Sequence, residues 1–155
     1  MNFILHALLL GTMSASATLI TFSYHLPTWV LFIAWTSFVL FGKTIRTAST
    51  IFVQQILGIL IAAVVISFGD YLAENFGPLF FHLSVFLILF AMYGITKLKK
   101  FNVIPAYFLG MIIWFGAHVP ANVTEITTLV LVLLMGYCFA WVYHTVGQKI
   151  DQKFN

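Results

Sequence analysis

The sequence predicts an all-α polytopic membrane protein: six transmembrane helices arranged as two inverted three-helix repeats, with both termini cytoplasmic. Three observations predict it. The chain is 62% apolar and 7% charged, against roughly 45–50% and 25% in soluble globular domains. Its charges gather in a few breaks between apolar runs. Two short apolar segments interrupted by Pro and Gly, Pro27 to Gly42 and Pro105 to Pro120, begin half the chain length apart.

A hydrocarbon core of about 30 Å needs about 20 helical residues, and shorter helices are accommodated by local thinning of the bilayer. The first span is Phe3 to Phe22. Its start has the look of a secretory signal ending at Ala15-Ser16-Ala17, but no Lys or Arg precedes it and the run continues far enough to span. The second, Thr28 to Phe41, is short and follows Pro27. The third is Ile51 to Gly69, the fourth Pro78 to Ile95. The fifth, Val103 to His118, is again short and broken by Gly110 and Gly116. The sixth is Ile126 to Val146. None contains Asp, Glu, Lys or Arg, as expected where such a residue at mid-membrane costs about 2.5–3.5 kcal/mol on insertion scales. The whole of residues 1–155 reads as one transmembrane domain with no soluble domain, linker or low-complexity tail.

The breaks carry turn formers and nearly all the charge. Lys43 and Arg46 follow the second span, Lys97, Lys99 and Lys100 the fourth, and Lys149 and Lys153 the sixth. With six spans these places share one side, and Asp70, Glu74 and Glu125 fall on the other. Short loops rich in Lys and Arg stay cytoplasmic, so both termini are expected inside.

The repeat emerges when the chain is slid along itself until Pro27 meets Pro105. The same step brings Thr50 onto Thr128, Gly58 onto Gly136, Ala62 onto Ala140 and Gly69 onto Gly147. Units of about 3–69 and 81–147 hold three spans each. An odd number forces the two units to cross the membrane in opposite senses, an arrangement that commonly surrounds a solute site.

Further residues carry a family likeness. Trp35 followed by Phe41-Gly42-Lys43, the small-residue span around Gly58, and Ile104-Pro105-Ala106-Tyr107-Phe108-Leu109-Gly110 with Phe115 together resemble the YcdZ-like bacterial inner-membrane proteins. The resemblance implies a six-span protein of the bacterial inner membrane carrying a domain of unknown function, and it brings no catalytic residues.

Candidate functional residues follow from polarity and helical spacing. On the first span Ser14 and Thr18 begin a small polar stripe, which serves either helix packing or a solute. On the third, Gln54, Gly58 and Ala62 share one face; an amide both donates and accepts, and suits a neutral hydrogen-bonding solute. On the fifth, Gly110, Trp114 and His118 recur every four residues, and Gly136 lies at matching depth on the sixth. Close packing accounts for the glycines as well as a constriction does. Trp35 and Trp114, one in each short span, are either packed indoles or slots for flat solutes.

Other chemistry is not encoded. No HxxxH or CxxC spacing points to a metal, one cysteine, Cys138, leaves no redox pair, and no intramembrane carboxylate pair, nucleophile triad or phosphate loop is present. Without a buried charge, an ion-coupled carrier lacks its usual coupling residue. The expected function is a channel or facilitator for a small neutral or weakly polar solute, bounded by Ser14, Thr18, Gln54, Gly58, Gly110, Trp114, His118 and Gly136. The alternative is a non-conducting membrane scaffold or accessory subunit. Neither needs an enzyme activity, a cofactor or nucleic acid. The expected partners are membrane lipids, further copies of the chain in a homo-oligomer, and the solute itself.

Overall fold

The structure, a computed structural model, describes residues 2–154. Among them the chain forms six helices: α1 (Asn2–Ser23), α2 (Thr28–Phe41), α3 (Ile45–Phe76), α4 (Leu79–Ile95), α5 (Ile104–Ala117) and α6 (Val123–Phe154). Three of them, α1, α3 and α6, are long and apolar enough to cross a membrane. The short helices α2 and α5 have 14 residues each, a rise of about 21 Å. Both open on proline, Pro27 as the N-cap of α2 and Pro105 in the first turn of α5, where the missing N–H costs no helical hydrogen bond.

The long helices run further than hydropathy predicts. Both α3 and α6 have 32 residues, about 48 Å, so their charged ends, with Arg46, Asp70 and Glu74 on α3 and Glu125, Lys149 and Lys153 on α6, stay helical beyond the apolar stretch. Side-chain caps fix their starts. The Thr47 N–H donates to Thr44 Oγ1 at 3.2 Å, and the Glu125 N–H donates to Asn122 Oδ1 at 2.9 Å. Each satisfies one of the unpaired first-turn donors. The step that carries Pro27 onto Pro105 also carries Thr44 onto Asn122 and the start of α3 onto the start of α6.

Helix ends turn tightly. α1 closes with His25 in the left-handed region, φ 52°, and the Leu26 N–H reaching back to the Thr21 carbonyl at 2.8 Å, the long backward hydrogen bond of a Schellman motif. The buried Thr21 hydroxyl then meets that of Thr28 at 2.6 Å, fastening the end of α1 to the start of α2. At the end of α3, Gly77 takes φ 105°, a conformation that glycine adopts without strain. α5 stops at His118, also left-handed.

Contacts divide the chain into two compact units, Met1–Ala48 with Thr128–Asn155, and Ser49–Thr127. The first holds α1, α2 and most of α6; the second holds most of α3, with α4 and α5. In the first, Val30, Leu31, Ala34 and Phe38 of α2 and Val132, Leu133 and Ala140 of α6 are buried. In the second, Ile59 and Ala62 of α3 and Ala106, Tyr107 and Ile113 of α5 are buried. α4 is loosely packed: only Ser84 and Met92 are buried on it, while Leu79, Phe86 and Phe90 stand out.

Candidate functional site

In the second unit α3 and α5 meet at two glycines. A β-carbon on Gly58 would collide with the Tyr107 carbonyl and lie 3.0 Å from the α-carbon of Gly110; one on Gly110 would collide with the Gln55 carbonyl. Both neighbours are backbone, so nothing can move aside. Only glycine lets the two helix axes approach this closely, as small residues do in membrane helix pairs.

Gln54, one turn before Gly58, is fully buried and committed to protein partners. Its Oε1 accepts the Val103 N–H at 2.9 Å, and its Nε2 donates to the Thr50 carbonyl at 3.2 Å and the Lys100 carbonyl at 3.4 Å. Val103 is the residue before α5, so this amide holds the start of the short helix. Tyr107, also fully buried, donates its hydroxyl to the Phe101 carbonyl at 3.0 Å. Together they pin the backbone of residues 100–103, the end of the loop bearing Lys97, Lys99 and Lys100. Trp114 on α5 is 4% exposed, and His118 is exposed with its Nδ1 at 3.1 Å from the Gly116 carbonyl.

The first unit has a matching crossing. A β-carbon on Gly136 of α6 would collide with the Leu31 carbonyl of α2 and come within 2.6 Å of the Ala34 β-carbon. The same two helices share an aromatic cluster: the Trp35 ring centre is 5.5 Å from Tyr143, 6.4 Å from Phe139 and 6.4 Å from Phe32, while Phe38 meets Tyr137 and His144 edge-on. Trp35 is 7% exposed, a packed indole. Ser14 and Thr18 are half-buried on α1, and the Thr18 hydroxyl donates to its own helix at the Ala15 and Ser14 carbonyls, 2.9 and 3.2 Å.

The structure thus brings Gly58 and Gly110 into one contact with Gln54 a turn away, and gives Gly136 an equivalent contact of its own. One contact had no sequence signal. Nε2 of His6 lies 2.8 Å from Oδ1 of Asp151, joining the first turns of α1 to the last turn of α6 from opposite ends of the chain. The Trp35 cluster had a partial signal in the spacing of Phe139 and Tyr143, which share a face of α6.

The second unit also contains an apolar cavity of about 330 Å³. α4 contributes Phe81, Val85 and Leu89, α5 contributes Phe108, Met111 and Phe115, and Val65 comes from α3. Among the described residues no three His, Cys, Asp or Glu side chains group to hold a metal ion, and no buried side-chain polar atom lacks a partner.

These features define an all-helical protein with three helices able to cross a membrane and two glycine-sealed helix crossings. The chain belongs to the family described as Protein of unknown function (DUF1097), which matches it over residues 7–148. No curated protein and no solved structure matches it.

Proposed function

We propose that this protein is a channel or facilitator for a small neutral or weakly polar solute, built as six spans in two inverted repeats in the bacterial inner membrane with both termini inside. The observation that carries the reading is the duplicated crossing. Two 32-residue helices, capped at equivalent places by Thr44 and Asn122, each press a glycine, Gly58 or Gly136, onto a backbone carbonyl of a 14-residue helix that opens on proline. Short, Pro- and Gly-interrupted segments at corresponding places in two halves are the usual frame of a membrane transport site. The resemblance to YcdZ-like proteins and the basic breaks support the inner membrane and the inward termini.

In this proposal Gly58, Gly110 and Gly136 set the helix crossings, Gln54 fixes the start of α5, Trp114 lies buried further along it, His118 ends that helix, and Ser14 and Thr18 offer polar lining on α1. The absence of Asp, Glu, Lys or Arg from the apolar stretches supports passive flow of an uncharged species over ion coupling.

Swelling of proteoliposomes tests the reading, with urea, acetamide, glycerol, methylamine and acetate as solutes. At least one solute is expected to enter much faster than in protein-free vesicles. Equal rates for every solute would overturn conduction.

A second reading, a non-conducting scaffold or accessory subunit, is favoured by the sealed crossings and the full pairing of Gln54. It predicts tight co-purification of another membrane protein and no flux.

A further inference from the structure

The two units differ at one place where their helices correspond. In the first, Trp35 of α2 fills the space against Tyr143 of α6, with Phe32 stacked beside it. Matching the two crossings, Gly136 on Gly58, Leu31 on Tyr107 and Ala34 on Gly110, lays the start of α2 on that of α5, two residues out of the register that pairs Pro27 with Pro105, and the start of α6 on that of α3, and so identifies the counterparts in the second unit. They are Met111 for Trp35, Phe108 for Phe32 and Val65 for Tyr143. There the indole is a thioether and the phenol an isopropyl group, and the cavity of about 330 Å³ occupies the vacated space. Its size falls in the roughly 300–1,000 Å³ range of ligand sites.

The lining of this cavity is apolar throughout, which suits hydrocarbon and nothing that must hydrogen-bond. Its shape follows the helices. Phe81, Val85 and Leu89 recur every four residues along one face of α4, a wall of about 12 Å. The opposite wall is α5, whose Phe108 and Phe115 are 45% and 44% exposed, so the cavity is open along its side. The lining stops at Leu89 and Phe108, and beyond them α4 and α5 continue to the loop of residues 96–103 that joins them. Lys97, Lys99 and Lys100 are exposed there, and Gln54 and Tyr107 hold the backbone of that loop at Lys100, Phe101 and Val103. An apolar groove with three exposed lysines beyond its end, about two helical turns past Leu89, is complementary to one molecule class, a hydrocarbon chain carrying an anionic head.

We infer that the groove between α4 and α5 is a lipid site, which holds one acyl chain of an anionic phospholipid against Met111 and Val65 and presents its headgroup to Lys97, Lys99 and Lys100. In the first unit Trp35 and Tyr143 fill the corresponding space. The site requires insertion in a bilayer but not conduction.

The test is native mass spectrometry of the full chain released in mild detergent from vesicles of equal parts phosphatidylglycerol and phosphatidylcholine. The wild type is expected to retain phosphatidylglycerol in preference to phosphatidylcholine. The double substitution Met111→Trp with Val65→Tyr, which imports the aromatic plug of the first unit, is expected to lower retained lipid by about tenfold or more with the chain still folded by circular dichroism. Leu89→Trp, on the rim, repeats the test should the double variant fail to fold. Replacing Lys97, Lys99 and Lys100 by Gln is expected to leave a lipid bound but abolish the preference for phosphatidylglycerol.

Three results would overturn the site. The wild type retains no lipid, the plugged and rim variants retain as much as the wild type, or plugging dissociates a dimer that carried no lipid, which would make the groove a contact between copies. A preference unchanged by the three Gln substitutions would overturn the headgroup assignment.

Discussion

At Gln54 one amide takes three backbone partners, and this decides what the residue does. Its Oε1 satisfies the Val103 N–H and its Nε2 is shared between the Thr50 and Lys100 carbonyls. Gln54→Leu keeps the size but strands a buried N–H, which costs about 1–3 kcal/mol. The variant is expected to melt earlier in detergent and to be cleaved faster by trypsin at Lys97, Lys99 and Lys100; unchanged melting and cleavage would show that the clamp is not needed. That Gln54 is polar and lies on a small-residue face was legible in the sequence. Its partners were not, because Val103 and Lys100 lie 49 and 46 residues away and nothing local couples them. The same limit hid His6 and Asp151. Trp35 and Trp114 could be placed deep in short spans from sequence alone, but only the neighbours of Trp35 show its indole stacked in an aromatic cluster rather than left open as a slot.

At the scale of helices, the six apolar runs were legible and their ends were less so. Hydropathy starts the third run at Ile51 and the sixth at Ile126, whereas the helices start at Ile45 and Val123. The residues gained are largely polar, so a hydropathy pattern passes over them. The signal that finds them is capping chemistry, Thr44 and Asn122 each accepting from the N–H three residues on. The glycines separate into two kinds that spacing alone cannot distinguish. Gly58 and Gly136 face carbonyls of another helix, while a β-carbon added at Gly11 or Gly94 would meet nothing within 4 Å. Opposite outcomes follow for the same substitution. Gly94→Ala is expected to raise stability by up to about 1 kcal/mol through helix propensity. Gly58→Ala and Gly136→Ala are expected to lower it by about 1–3 kcal/mol or more through overpacking. Thermal unfolding in a single detergent reads all three, and a neutral Gly58→Ala would contradict the close crossing.

At the scale of the whole molecule, the sequence carries two regularities. The first is the internal shift: the step that matches Gly58 with Gly136 also relates the starts, lengths and caps of α3 and α6. The second is charge, since the basic residues fall in alternate breaks, and with six spans they would share a side. Substance and direction of flow are not legible, because a facilitator for neutral solutes selects by bore and hydrogen-bond spacing, neither of which leaves a fixed motif. Inverted insertion is the proposition on which the transport reading rests. It is tested most directly by labelling single cysteines in intact cells with a membrane-impermeant maleimide, in a Cys138→Ser background. Glu74→Cys and Ala121→Cys are expected to react from outside, and Lys43→Cys, Lys99→Cys and Lys153→Cys only after the membrane is opened. Labelling that puts positions 43 and 99 on opposite sides would contradict two inverted three-helix repeats.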